Sequence, residues 1–252
     1  MLSWAEASEP FGDGAVVERS FRVHRSGEDI PGVLWRREGT RDAPLVLLGH
    51  GGSGHKRGGR NPALARWFAA VHGIACVAID GPYHGERVEA PLSADDYRAR
   101  IIADGVDAVV DRMVADWRVV IETIGDLDDV DVTRLGYLGL SMGTRFGVPL
   151  AAALGDALTV AVLGKFGLGP SRLPAGIGMD GRLRADAPQV SASLTFQIQW
   201  DDELFTTAGQ LELFNLLGSP AKQLLVHRGR HGDTEDAAVE AWREFMATGL
   251  SR

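Results

Sequence analysis

Ser141 lies in a sequence pattern that suits a nucleophile. It is the central residue of Gly139-Leu140-Ser141-Met142-Gly143, which fits the pattern G-x-S-x-G. A serine in this pattern sits on a sharp strand-to-helix turn, where side chains at the glycine positions would collide with the neighbouring strand and helix. Here a nearly continuous apolar run (residues 135–140) precedes the serine, and a helical pattern follows from Thr144. This context favours a nucleophile over a merely glycine-rich turn.

A nucleophilic serine needs a histidine that accepts its proton. Only His227 and His231 follow Ser141 in the chain. His227 lies within an apolar strand pattern (residues 222–227), which indicates a structural role. His231 lies in a predicted loop between the last strand and the last helix, where the base of such a site belongs. We therefore expect His231 to be the base.

The histidine in turn needs a carboxylate that orients it. Asp201, Asp202 and Glu203 directly follow the strand that ends at Trp200, so position alone allows each of them. Alternatively, acidic residues at the start of a helix could act only by stabilising that helix through its dipole. The match with a serine and a histidine at suitable places favours a catalytic role for one of the three.

A glycine-rich loop, Gly49-His50-Gly51-Gly52-Ser53-Gly54-His55, follows the apolar run of residues 44–48. A loop at this place supplies one backbone N–H to the oxyanion that forms during acyl transfer, and the residue after the nucleophile supplies another. We assign these donors to Gly52, with Ser53 as the alternative, and to Met142.

The same loop also fits G-x-G-x-x-G, the fingerprint of an NAD(P)-dependent oxidoreductase, with Asp80 further along. In that fingerprint a helix opens directly at the glycines, whereas here residues 55–62 intervene. We expect no nucleotide cofactor. We also expect no metal, because no H-E-x-x-H or paired-histidine spacing occurs. Cys76 lies mid-strand and is read as a buried apolar residue rather than a nucleophile.

The elements around these residues alternate between strand and helix. Two alternating patterns, residues 15–24 and 30–36, suit an antiparallel hairpin, and the short apolar runs that follow suit strands buried on both faces of a parallel sheet. These runs are residues 44–48, 74–79, 135–140, 158–163, 193–200 and 222–227. Helices are predicted over residues 61–71, 93–124, 144–154, 206–217 and 235–246.

These patterns predict an α/β fold, an eight-stranded mostly parallel sheet with helices on both faces. Residues 164–190, after strand six, are rich in glycine, proline and arginine and too long for an ordinary connection. They are predicted to form a small lid or cap loop. The helix over residues 93–124 is predicted to begin at Ser93 as its N-cap and to lay one apolar stripe on the sheet.

Composition limits the function further. The chain of 252 residues is 45% hydrophobic and carries a net charge of −8, which argues against a nucleic-acid partner. We expect no signal peptide and no membrane span. The single cysteine, Cys76, excludes an intrachain disulfide and favours a cytoplasmic setting.

Residues 16–246 resemble the α/β-hydrolase superfamily. Asp80-Gly81-Pro82-Tyr83-His84-Gly85-Glu86-Arg87 is similar to the D-x-P-x-H-G-x-[RS] turn of its esterase, dienelactone-hydrolase-like and peptidase-like branches. Residues 200–205 resemble its D-[EP]-[LV]-[VF] segment. The resemblance implies that Asp202 is the acid and that Tyr83 contacts substrate.

The resemblance also implies a serine hydrolase in which residues 1–252 form one domain. The reaction would be cleavage of a small-molecule carboxylic ester through an acyl-enzyme on Ser141, with no cofactor. Dienelactone hydrolases use a cysteine nucleophile, so Ser141 departs from their pattern and argues against lactone specificity. The short lid resembles that of small carboxylesterases more than that of oligopeptidases. A thioesterase or peptidase-type reaction on the same residues and the oligomeric state remain open.

Overall fold

Within the residues that the structure describes, the sheet has nine strands. The computed structural model describes residues 2–7, 15–173 and 175–251. The strands are β1 Leu2–Ala7, β2 Val16–Arg25, β3 Glu28–Arg37, β4 Ala43–Gly49, β5 Ala75–Ile79, β6 Val130–Gly139, β7 Leu158–Gly164, β8 Ser193–Gln199 and β9 Lys222–His227. The helices of four or more residues are α1 Asn61–His72, α2 Ala94–Asp104, α3 Val106–Gly125, α4 Met142–Leu154, α5 Asp180–Asp186, α6 Thr207–Leu216 and α7 Asp236–Leu250.

The strands lie in the order β1-β2-β3-β5-β4-β6-β7-β8-β9. The strands from β5 to β9 in this order are parallel to one another. The pairs β1–β2, β2–β3 and β3–β5 are antiparallel. The predicted α/β class and mostly parallel sheet are confirmed. The carboxyl ends of the parallel strands share one edge, which is where sites form in open α/β sheets.

The predicted number of eight strands is wrong by one. Leu2 and Trp4 of β1 are partly buried against the core, and Leu2 lies opposite Val23 of β2. The segment alternates in burial, but it is short and contains few β-branched residues, so its pattern alone did not mark it as a strand.

Successive residues of the central strands point to opposite faces of the sheet. Leu45 of β4 belongs to the same buried cluster as Trp117 of α3, and Val46 to the same cluster as Trp242 of α7. Both faces of the sheet are therefore covered by helices, as the continuous apolar runs predict.

The single helix predicted over residues 93–124 is in fact two. Ser93 is the N-cap, and its Oγ accepts a hydrogen bond from the Asp96 backbone N–H at 3.1 Å. Gly105, with φ 82° and ψ 131°, then interrupts the helix. The prediction that one apolar stripe of this helix lies on the sheet is also wrong, because Ile102, which belongs to that stripe, is 48% exposed. The backbone conformation at position 105 is one that glycine adopts without the strain that other residues would incur.

Residues 164–190 are more ordered than the predicted lid loop. They contain α5 and a short 3-10 turn, Ala187–Gln189, and Ser171 forms an isolated antiparallel bridge with Phe205. Residue 174 lies outside the described residues. None of the helices in the described ranges is long and apolar enough to cross a membrane.

Candidate active site

Ser141 occupies a strained turn between β6 and α4. Its φ of 59° and ψ of −119° lie outside the regions that residues with a side chain prefer. The Ser141 backbone N–H donates to the Gly164 carbonyl oxygen at 2.9 Å, which ties the turn to the neighbouring strand β7. Strain of this kind persists only where the surrounding structure imposes it, and it is concentrated at functional sites.

The two glycines of the motif are required by close packing. A Cβ at Gly139 would lie 2.6 Å from the Tyr137 hydroxyl oxygen, and a Cβ at Gly143 would lie 3.2 Å from the Gly49 carbonyl oxygen. The Tyr137 hydroxyl donates to the Gly143 carbonyl at 2.6 Å. Side chains at either glycine would therefore displace the turn.

The structure brings His231 to Ser141. His231 lies in the turn after β9, and its Nε2 is 2.9 Å from the Ser141 Oγ. The other histidine considered, His227, has its Nδ1 3.0 Å from an Oε2 of Glu235 and does not reach the serine.

Asp202 lies on the opposite side of the imidazole ring. Its Oδ2 is 2.8 Å from the His231 Nδ1, and its side chain is fully buried. The other oxygen, Oδ1, accepts the backbone N–H groups of Leu204 and Phe205 at 2.8 and 3.0 Å. The carboxylate is thus held in place by the start of the following segment.

The neighbouring acids are used differently. Asp201 accepts the Gly229 backbone N–H at 3.1 Å and does not contact the His231 ring. Glu203 accepts the backbone N–H of His231 at 2.8 Å, so it fixes the loop rather than the ring. Of the three acids that position allowed, only Asp202 lies against the imidazole.

A buried lysine that sequence reasoning missed supports the same loop. Lys165 directly follows β7, and its Nζ donates to the carbonyl oxygens of His231, at 3.3 Å, and Asp233 and to the Thr234 Oγ1 at 2.9 Å. Burial disfavours its charge and lowers the pKa of Lys165 to about 8, an effect increased by the positive charge of Arg60. The only feature of the sequence that could have indicated this role is that a lysine directly follows an apolar strand pattern.

Gly52 and Met142 are neighbours in the structure. A Cβ built at Gly52 would lie 3.9 Å from the Met142 Cβ, and both residues line the same cavity. The loop is fixed by two histidines. His84 places its Nε2 2.8 Å from the Gly52 carbonyl oxygen, and His50 places its Nδ1 2.8 Å from the Gly51 carbonyl oxygen. The alternative donor, Ser53, also lines this cavity.

His50 is a buried structural residue. Its Nε2 accepts the Gly81 backbone N–H at 2.8 Å, which joins the glycine-rich loop to the turn after β5. Burial, together with the nearby His84, lowers the pKa of His50 to about 4.

Tyr83 lies in the turn after β5 with a φ of 63° and lines the cavity. Its hydroxyl donates to the carboxylate of Asp104, which also pairs with Arg112 at 2.7 Å. Burial and the bond to Asp104 raise the pKa of Tyr83 to about 12. The hydroxyl is thus engaged with Asp104 while the residue forms part of the cavity wall.

The cavity above Ser141 has a volume of about 660 Å³. Its walls come from the glycine-rich loop, the start of α2, the start of α4 and the segment of residues 164–190. Most of its lining is apolar, as is common for small-molecule sites. The apolar lining residues include Phe166, Leu173, Leu204 and Phe205.

The geometry of the described residues does not support a dinucleotide site, a metal site or a cysteine nucleophile. Helix α1 begins at Asn61, so Gly54 does not open a helix as a dinucleotide site requires. Among the described residues no group of three His, Cys, Asp or Glu side chains could hold a metal ion. Asp80 is buried in an ion pair with Lys56 at 2.6 Å, and Cys76 is buried within β5, where burial raises its pKa.

Comparison with known proteins gives the family. No family model matches the chain, and none of the curated proteins matches it. Among solved structures, the chain is 31% identical to a cold-adapted esterase from an Arctic intertidal metagenomic library, in its complex with PEG. That match covers 98% of this chain and 99% of the esterase, with a TM-score of 0.82.

Two more distant structures share the fold. Acetyl xylan esterase 1 from Thermoanaerobacterium sp. JW/SL YS485 is 16% identical, with 100% of this chain and 88% of that one covered and a TM-score of 0.75. A dienelactone hydrolase from Anabaena variabilis ATCC 29413 is 19% identical, with 93% and 96% covered and a TM-score of 0.67. The chain belongs to the α/β-hydrolase superfamily of serine hydrolases. The predicted class of enzyme, a serine hydrolase that cleaves esters, is confirmed.

Proposed function

We propose that this enzyme cleaves a small-molecule carboxylic ester through an acyl-enzyme on Ser141. The observation that carries the proposal is the contact of 2.9 Å between the Ser141 Oγ and the His231 Nε2, continued at 2.8 Å from the His231 Nδ1 to Asp202. A hydroxyl within hydrogen-bond reach of an oriented base is the arrangement that activates a serine.

In the first step His231 takes the hydroxyl proton of Ser141 at Nε2 while Oγ forms a bond to the ester carbonyl carbon. Asp202 accepts the Nδ1–H of His231, so it holds the tautomer with a free Nε2 and stabilises the imidazolium that forms. Collapse of the tetrahedral intermediate breaks the bond to the alcohol oxygen. His231 then gives its proton to that oxygen.

In the second step water attacks the acyl-enzyme. His231 accepts a proton from the water at Nε2, and the acyl–Oγ bond breaks with return of that proton to Ser141. No cofactor takes part in this sequence. The acid product and the alcohol both derive from the substrate.

The negative charge on the carbonyl oxygen needs hydrogen-bond donors in both steps. We assign the backbone N–H groups of Met142 and Gly52 to this role, because Met142 begins α4 and Gly52 lies beside it. A helix N-terminus also favours negative charge.

Three further assignments belong to the proposal. Tyr83 contacts the substrate as part of the cavity wall, and residues 164–190 act as the lid, since Leu173 and Ile177 line the cavity. Residues 1–252 act as one catalytic domain. A cytoplasmic setting stays a prediction that rests on the single cysteine.

The test is active-site labelling combined with removal of the hydroxyl. We expect a fluorophosphonate to label wild type at Ser141, and Ser141→Ala to escape labelling and lose at least ~10³-fold in kcat on a chromogenic short-chain ester. Ser191→Ala is the matched control, since the Ser191 hydroxyl contacts Asp156 at the surface and should not affect labelling. Mass spectrometry that finds the label on another residue would refute the proposal.

A further inference from the structure

Arg145 brings a positive charge next to the proposed nucleophile. It lies on the first turn of α4, and its backbone N–H donates to the Ser141 carbonyl oxygen at 3.0 Å. The residue is only 3% exposed, yet it lines the cavity above Ser141. Its guanidinium is therefore removed from bulk water and positioned beside the site where substrate reacts.

The guanidinium has no carboxylate partner among the described residues. Its Nε donates to the Met179 Sδ at 2.9 Å and its Nη2 to the Ile177 carbonyl oxygen at 3.0 Å, and both acceptors are uncharged. The ring of Phe146 lies 5.7 Å from the guanidinium carbon. These contacts leave several of its five N–H donors without a protein acceptor.

A buried charge without a counter-ion is costly and needs an explanation. Among the described residues, other buried or largely buried cations have oxygen acceptors for their charge: Lys165 bonds two carbonyl oxygens and a hydroxyl, and two others pair with carboxylates. Lys56 contacts Asp80 at 2.6 Å, and Arg87 contacts Asp116 at 2.7 Å. Burial lowers the pKa of Arg145, which reflects the same cost. A neutral amide could bond Ile177 and Met179 without that cost, so fixing the lid segment does not explain a guanidinium.

The charge of the cavity is opposite to that of the molecule. The chain carries a net charge of −8. The residues that line the cavity within the described part of the chain include neither Asp nor Glu, and Arg145 is the one among them that is always charged. The Tyr97 hydroxyl, which donates to the Met142 Sδ at 3.6 Å, lies on the same wall. An anion bound in this cavity would therefore meet one positive charge and no negative charge among these lining residues.

We infer that Arg145 determines specificity by binding a carboxylate on the substrate, so that the preferred esters carry a negative charge close to the scissile bond. This inference rests on the proposed function of Ser141. Arg145 lies one helical turn from Ser141, a rise of about 5.4 Å, and lines the same cavity, so we expect the carboxylate within a few carbon atoms of the ester carbonyl. A carboxylate would accept the free guanidinium donors, and a charged hydrogen bond of this kind is stronger in a dry site.

The experiment compares charged esters with uncharged analogues of the same shape. Hydrolysis of monomethyl succinate and of its amide, methyl succinamate, is followed by proton release at constant pH. A second pair, acetoxyacetate and acetoxyacetamide, places the charge on the alcohol side. We expect wild type to prefer the charged member of at least one pair by ~10-fold or more in kcat/KM, as a charged hydrogen bond provides.

Variants connect that preference to Arg145. Arg145→Met should bring the charged-to-uncharged ratio of kcat/KM close to one, and Arg145→Lys should retain part of it. The matched control is Arg184→Met, because Arg184 lies on α5 of the same segment but pairs with Glu212 at the surface. The charged-to-uncharged ratio of kcat/KM for Arg184→Met should equal that of wild type. The ratio is informative even if a variant changes the absolute rate on both esters.

Succinate gives a second measurement that needs no variant. It should inhibit hydrolysis of methyl butyrate competitively in wild type, at a concentration at least ~10-fold lower than succinamide does. Equal rates on both pairs, together with equal inhibition, would overturn the inference while leaving the proposed function intact. Loss of the charged preference in Arg184→Met as well would also overturn it. If wild type cleaved none of these esters and resisted the fluorophosphonate, the proposed function itself would fail.

Discussion

Lys165 lies beneath the loop that carries His231, with its Nζ 3.3 Å from the His231 carbonyl oxygen. The same ammonium group donates to the Asp233 carbonyl oxygen and the Thr234 hydroxyl, so all three of its N–H bonds can donate to residues 231–234. Glu203 holds the His231 backbone N–H from another direction. His231, the proposed base, is therefore fixed through its backbone as well as through its ring.

We expect Lys165→Met to lower kcat by ~10-fold or more, because small displacements of a catalytic group cost large factors in rate. KM for a short ester should change much less, since Lys165 does not line the cavity. Steady-state kinetics on a chromogenic ester would measure both constants.

Lys222→Met is the matched control for this variant. Lys222 also donates to three backbone carbonyl oxygens, those of Phe214, Asn215 and Leu217, but it begins β9, at the end opposite the loop of His231. Its loss should lower stability without the change in kcat. Equal kinetic effects of the two variants would show that Lys165 acts only through general stability.

Asp202→Asn should cost about 10⁴-fold in kcat, because an amide nitrogen facing the His231 Nδ1 favours the wrong tautomer. Asp201→Asn should cost less than about tenfold, since the Asp201 carboxylate contacts the Gly229 N–H instead of the ring. Kinetic comparison of the two variants checks the assignment. Equal losses, or the reverse ranking, would be inconsistent with this geometry.

His50 should make the protein less stable in acid. With the pKa of His50 at about 4 in the folded state and 6.5 when unperturbed, the unfolded chain binds more protons between these values. The stability that neutral His50 contributes is complete above pH 6.5 and is lost as the pH falls toward 4. An NMR titration of the His50 ring protons should give a midpoint near 4, whereas a midpoint near 6.5 would contradict the buried, neutral ring.

Acyl chain length provides a test of the cavity. We expect the highest kcat/KM on esters with short or medium acyl chains, because the small lid segment encloses limited apolar surface, to which it contributes Phe166, Leu173 and Ile177. Each buried methylene adds only ~0.8 kcal/mol. A series of p-nitrophenyl esters would measure the optimum, and maximal activity on long-chain triglycerides would refute the prediction.

Much of the fold could be predicted because its signals are local. Continuous apolar runs mark β4 to β8, and the serine motif between one such run and a helix marks the turn at Ser141. Chain order after the serine left one suitable histidine. The choice of Asp202 over Asp201 depended on the resemblance, since neither periodicity nor charge separates adjacent residues.

The residues that were missed depend on contacts between distant segments. Lys165 contacts a loop more than sixty residues away in sequence, and Arg145 contacts Met179 and Ile177 of the lid segment. A single sequence contains no pattern for such pairs. The strand β1 and the break at Gly105 were missed because short segments and single glycines carry weak local signals.

The break at Gly105 divides one predicted helix into two parts that are anchored very differently. Helix α3 buries eight side chains, among them Trp117, whereas α2 buries only Ile101. Local opening free energy follows the buried contacts that must be given up. Since α2 and the residues just before it form one wall of the cavity, we expect that wall to open at a lower free-energy cost than the sheet and α3. Gly105 is the point about which α2 would move, and the buried Ile101 with the partly buried Tyr97 is what holds α2 to the core.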